Sequence, residues 1–113
     1  MHEVSLMQSA LETAIALAER EGARKILRLK LRIGELSGVV PEALRFAFDV
    51  VTRETLAEGA ELEVEEVPAV CYCRTCDREF SPGETGYVCS TCGTISRELR
   101  RGRELALDSM EVV

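Results

Sequence analysis

Tryptophan is absent from this 113-residue chain, histidine occurs once, and only five aromatic residues are present: Phe46, Phe48, Tyr72, Phe80 and Tyr87. So few π faces, with no basic-aromatic stripe, offer no stacking track for single-stranded nucleic acid. Positive charge is also in short supply. The 14 Lys and Arg residues stand against 20 Asp and Glu, a formal net charge of -6, which disfavours long-range attraction to nucleic acid or an anionic membrane. The stretch Met1 to Leu17 carries Glu3 and Glu12 and no basic flank, so it lacks the pattern of an export signal. No apolar run reaches membrane-spanning length. The expected compartment is therefore the reducing cytoplasm. A chain of this length has room for one modest core plus a small stapled appendage, which excludes a multidomain enzyme. The sole imidazole, at position 2, leaves no histidine elsewhere to activate a cysteine nucleophile, so an enzyme is not expected.

What remains is periodicity. "VSLMQSALETAIALAERE", residues 4 to 21, places Val4, Met7, Leu11, Ala14, Ile15 and Ala18 at helical spacing, with Ser5 and Gln8 in the pattern of a capping box and Gly22 as a stop. "KILRLKLRIGEL" alternates, with Leu27, Leu29, Leu31 and Ile33 on one side and Arg28, Lys30 and Arg32 on the other, which predicts a half-buried strand. A second helix is expected from Pro41, with a stripe of Leu44, Ala47, Phe48 and Val51. After Gly59, "AELEVEEV" alternates Leu62 and Val64 with Glu61, Glu63 and Glu65. Its acidic face complements the basic face of the first strand if the two are neighbours. "ELALDSMEVV", residues 104 to 113, supplies a third strand. The expected class is α+β: two helices on a small mixed three-stranded sheet, with an inserted zinc-ribbon-like four-cysteine module.

That module, residues 71 to 95, holds all five cysteines; Pro68 marks its approach. In "CYCRTCDREFSPGETGYVCSTCG", Cys73 and Cys76 form one C-x-x-C pair, and Cys89 and Cys92 form a second after a twelve-residue spacer. Two such turns bring four sulfurs together tetrahedrally, and the pattern predicts structural zinc, with iron in a rubredoxin-like site as the alternative. Four protein ligands leave no open position, so the metal is not a Lewis-acid catalyst. Cys71 stands two residues before the quartet and is expected to be a bystander thiol. The cluster "RELRRGR", residues 97 to 103, is read as a solvated charged turn or as a docking surface with Arg74 and Arg78.

The opening Met1-His2-Glu3 has two readings. A free terminal amine, the His2 amide nitrogen and the His2 Nδ1 form two fused chelate rings, a planar set suited to nickel(II) or copper(II), which Glu3 completes through its amide or carboxylate. A histidine at position 2 also fits a mobile surface residue. "MHEVSLMQSAL", "IGELSGVVPEALRFAF", "EGAELEVEEVPAVCYCRTC" and "CSTCG" together resemble the HypA family of nickel metallochaperones from end to end. The resemblance implies a nickel-binding α/β domain over residues 1–70 and 96–113, a structural zinc module over 71–95, and nickel ligation by Met1, His2 and Glu3. It also implies zinc on Cys73, Cys76, Cys89 and Cys92. The implied partners are the GTPase HypB, the NiFe-hydrogenase large subunit precursor and, in some bacteria, urease maturation proteins; no nucleic acid and no membrane enter. Some relatives use further histidines near the nickel, and this chain has none to offer. The alternative from another class is a zinc-ribbon binding or interaction module without nickel delivery.

Overall fold

The computed structural model describes residues 3–83 and 86–113. Helix α1 (Glu3–Arg20) buries Met7, Leu11, Ala14 and Ala18, the stripe its periodicity predicts. It begins earlier than the capping-box pattern implies, so Ser5 lies inside the first turn rather than at the cap. Gly22, at φ 72, ends the helix, with the Ala23 amide reaching back to the Ala18 carbonyl at 2.9 Å. The chain then reverses into β1 (Ile26–Gly34). Eighteen helical residues cover about 27 Å and nine strand residues about 30 Å. The Glu3 end of α1 and the Gly34 end of β1 therefore share one end of the fold.

Helix α2 (Pro41–Val51) carries the chain back and leads to β2 (Glu61–Val67), which pairs with β1 in parallel, as a helical crossover permits. The last strand, β6 (Leu105–Val112), pairs antiparallel on the other side of β1, giving the mixed order β2-β1-β6. Met7 and Leu11 from α1, Leu29, Leu31 and Ile33 from β1, and Leu44 and Phe48 from α2 form the buried cluster between helices and sheet. One expected core position is displaced. A register shift between Ile26 and Arg28 turns Leu27 outward, 44% exposed, while Ile26 takes its place at 0%.

The opposite face of this sheet is charged and paired. Arg28 stands across from Glu61, Lys30 from Glu63 and Arg32 from Glu65. The Arg32 Nε donates to Glu65 at 2.7 Å, Arg28 reaches Glu61 at 3.3 Å, and Lys30 lies 3.8 Å from both Glu65 and Asp108. The complementarity read from the two strands is thus realised as a ladder across parallel neighbours. Each rung is at least partly open to solvent and contributes at most about 1 kcal/mol.

The cysteine segment forms a sheet of its own, in the order β4-β3-β5: β3 (Val70–Cys73), β4 (Arg78–Phe80) and β5 (Glu98–Arg101). Strand β5 comes from the "RELRRGR" cluster, which is therefore not a simple charged turn. It also lies beyond residue 95, so the second sheet draws on residues that the sequence reading assigned to the α/β domain. The two sheets extend the molecule to 55 × 25 × 17 Å. They are joined at a waist of two short connections, residues 68–69 and 102–104, where backbones touch. A Cβ on Gly34 would stand 2.2 Å from the Gly102 carbonyl, and one on Gly102 2.8 Å from the Ala69 Cα. Gly34→Ala is accordingly expected to lower stability by about 1 to 3 kcal/mol, the range for overfilling a packed site. Denaturant unfolding followed by circular dichroism measures this, and native stability would show that the waist yields freely.

Candidate metal centre

Strand β3 alternates so that Cys71 and Cys73 both point inward. Beyond Cys73 the chain turns through Cys76 into β4, and the second C-x-x-C follows on the far side of the segment. After each pair stands a residue with left-handed backbone, Asp77 at φ 52 and Gly93 at φ 75, which lets the chain turn away sharply while amides face the sulfurs. The Cys76 amide donates to the Cys73 Sγ at 3.5 Å. In the second turn the Gly93 amide donates to the Cys89 carbonyl at 2.9 Å, and the Cys89 amide to Thr94 at 2.9 Å. Side chains then brace the two turns: the Tyr72 hydroxyl donates to the Asp77 carboxylate and the Arg78 guanidinium to the Thr91 hydroxyl. The Arg100 guanidinium lies over the Tyr72 ring at 4.2 Å.

The result is a cluster of Cys73, Cys76, Cys89 and Cys92 whose sulfurs all lie within 4.8 Å of one another. Cys73 and Cys92 are 3.5 Å apart and Cys76 and Cys89 are 3.9 Å apart. A disulfide needs about 2.05 Å. A tetrahedral zinc with bonds of about 2.3 Å sets its sulfurs about 3.8 Å apart. The donor set therefore fits a four-thiolate metal and not a pair of disulfides. The protein alone divides the protons unevenly. The Thr94 hydroxyl, 3.2 Å from the Cys92 sulfur, and the Thr94 amide pull the Cys92 thiol down to about 6. Hydrogen bonding with the neighbouring sulfurs, that of Cys92 first, and burial push Cys76 up to about 12. Several thiolates this close repel one another, and a divalent cation is what allows all four to ionise.

Thr94 and Tyr72 were not singled out by sequence reasoning, although a hydroxyl residue two positions after the last cysteine is a legible signal. Cys71 is buried, which raises its thiol pKa, and it stands outside the four-sulfur group. Glu3 opens α1 in its first turn, at the helix's positive end. Met1 and His2 lie outside the described residues. No described helix is long and apolar enough to cross a membrane.

The family described as "Hydrogenase/urease nickel incorporation, metallochaperone, hypA" matches residues 1–112. The chain belongs to the HypA family. "Hydrogenase maturation factor HypA" of Picosynechococcus sp. is 50% identical over 113 residues, covering 100% of both chains. The protein of that description from Acidithiobacillus ferrooxidans is 41% identical over 112 residues, covering 99% of each. A solution structure described as the Ni metallochaperone HypA from Helicobacter pylori superposes with a TM-score of 0.70 at 27% identity, covering 100% of this chain and 98% of that one. Membership in the HypA family makes this chain a metallochaperone and maturation factor by lineage, and the two-helix fold with its four-cysteine cluster matches HypA structures.

Proposed function

We propose that this chain binds nickel(II) through Met1, His2 and Glu3 and delivers it to the NiFe-hydrogenase large subunit precursor in the cytoplasm, acting with the GTPase HypB. Relatives of the family also serve urease, and the same hand-over chemistry would apply there. The observation that carries this reading is the family match starting at residue 1, which includes the opening tripeptide.

A carrier must hold its cargo selectively and still let go. A terminal chelate answers both needs: its donors sit on a chain end with one side open, so an acceptor can enter while the donors leave one at a time. The terminal amine and the His2 imidazole bind only when deprotonated, so acidification loosens the ion. Planar nitrogen ligation does not favour zinc, whereas four thiolates do. The affinity series places copper above nickel, so selectivity also depends on partners and metal supply. In this reading Cys73, Cys76, Cys89 and Cys92 hold zinc, and Thr94 and the Cys76 amide stabilise the thiolate charge. The bound zinc would cross-link the two turns and neutralise their charge.

The test is transfer. Zinc-containing protein loaded with radioactive nickel is mixed with HypB, GTP and nickel-free large subunit precursor, in the presence of a chelator that scavenges free ion. Nickel appearing in the precursor only when this chain is present supports delivery. Equal incorporation from a nickel salt without it would leave an interaction module with no delivery role.

A further inference from the structure

Among the described residues the two sheets share little apolar packing, with Val67 and Ala69 buried at the waist. The buried cluster beneath the helices contains no described residue between 65 and 106, so contacts beyond that core must fix how the sheets sit. Hydrogen bonds from the β1–α2 turn and the start of β6 fill that role. The Gly34 amide donates to the Glu104 carbonyl at 2.7 Å, the Glu35 amide to Val67 at 2.9 Å, and the Leu36 amide to Gly102 at 2.6 Å. Two carboxylates complete the set. The Ala69 amide, in the first connection, donates to Glu35 Oε1 at 2.9 Å; the Gly102 amide, in the second, donates to Glu104 Oε1 at 2.8 Å. Each strand of the waist thus has one amide held by one glutamate.

We infer that Glu35 and Glu104 are positioning residues, whose carboxylates lock the two connections and hold the four-cysteine sheet in one orientation against the α/β sheet. The close backbone approach of Gly34, Gly102 and Ala69 supports this, because the Ala69 amide reaches Glu35, 34 positions away in the chain, only while these backbones remain in contact; the Glu104 bond instead shapes the second connection locally. The surroundings of Glu104 agree. Its own amide and that of Gly102 hold its carboxyl below the usual range, assisted by Arg32 from the first sheet and Arg101 from the second. The lock stands at the end of the fold where α1 begins, so it sets where the sulfur cluster lies relative to that helix. Its existence does not depend on which metal either end carries.

Residual dipolar couplings of backbone amides in the zinc-loaded full chain test it. In the native protein, and in Glu35→Gln/Glu104→Gln, which keeps an acceptor oxygen at both places, one alignment tensor is expected to fit both sheets. In Glu35→Ala/Glu104→Ala the common tensor is expected to be lost and two to be required, with dispersed amide signals in each sheet. If the double alanine variant loses folded signals, the two single alanine variants carry the comparison, each freeing one connection. A single tensor of native orientation in the folded alanine variants would overturn the proposal, as would two tensors in the native protein.

Discussion

Replacing His2 with alanine is expected to weaken nickel(II) binding by more than about 100-fold, beyond what the loss of a supporting contact around a metal site costs. Acetylating the Met1 amine should have the same effect while leaving every side chain in place. The acetyl group removes the free amine from the fused rings, so an imidazole alone remains. Both changes leave the α/β core in place, because among the described residues it begins at Leu6 and Met7. Isothermal titration of untagged, zinc-loaded protein, with absorption spectroscopy for the planar geometry, measures the effect. The pH dependence follows from the same donors. The amine, the His2 amide and the imidazole must each give up a proton to bind the ion, so protons compete with the metal at every donor. Loading should therefore fall progressively as the pH is lowered. Binding that survives both changes would move the nickel site away from the tripeptide.

The second large effect concerns the cysteines. Cys89→Ala, or removal of zinc by a chelator, is expected to unfold residues 70–101 while the helices and the first sheet persist. The second sheet consists of strands of three and four residues, in which Cys71 and Cys73 are buried and Val70, Tyr72, Phe80 and Leu99 only half-buried. Structural zinc in small domains supplies roughly 10 to 16 kcal/mol of apparent binding free energy, which in such a lobe is its folding free energy. A chelator has access, because Cys92 is exposed and Cys76 half-buried while Cys73 and Cys89 are enclosed. Two-dimensional amide spectra read the outcome directly: signals from the second sheet should collapse and those from Leu29, Leu31 and Leu44 should stay. Retention of the second sheet without metal would show that its hydrogen bonds suffice.

Much of this architecture is legible in the sequence because it rests on repetition. Leu29, Leu31 and Ile33 alternate with charge, and Met7, Leu11, Ala14 and Ala18 recur with the helical turn, so each buried face announces itself. The paired C-x-x-C spacing likewise implies four sulfurs in one place. Features set by pairing partners were harder to see. The shift that exchanges Ile26 for Leu27 arises where β1 meets β6, more than seventy residues later in the chain. Strand β5 is read as a charged turn because "RELRRGR" has no apolar alternation; it becomes a strand by pairing with β3. Glu35 and Glu104 carry no pattern at all, since their role depends on amides of Ala69 and Gly102 that only the folded chain brings near.

The strand β2 forms one border of the first sheet: no described strand pairs along its outer side, and the Leu62 carbonyl accepts from the Arg45 guanidinium at 3.2 Å. Such a border can recruit a matching strand from another molecule and begin aggregation. Four of its seven residues are Glu61, Glu63, Glu65 and Glu66. A second copy aligned along it would bring carboxylates against carboxylates, so stacking of identical molecules is opposed at the site most open to it. The same glutamates that answer the arginines of β1 thereby also oppose the pairing of two copies along this border.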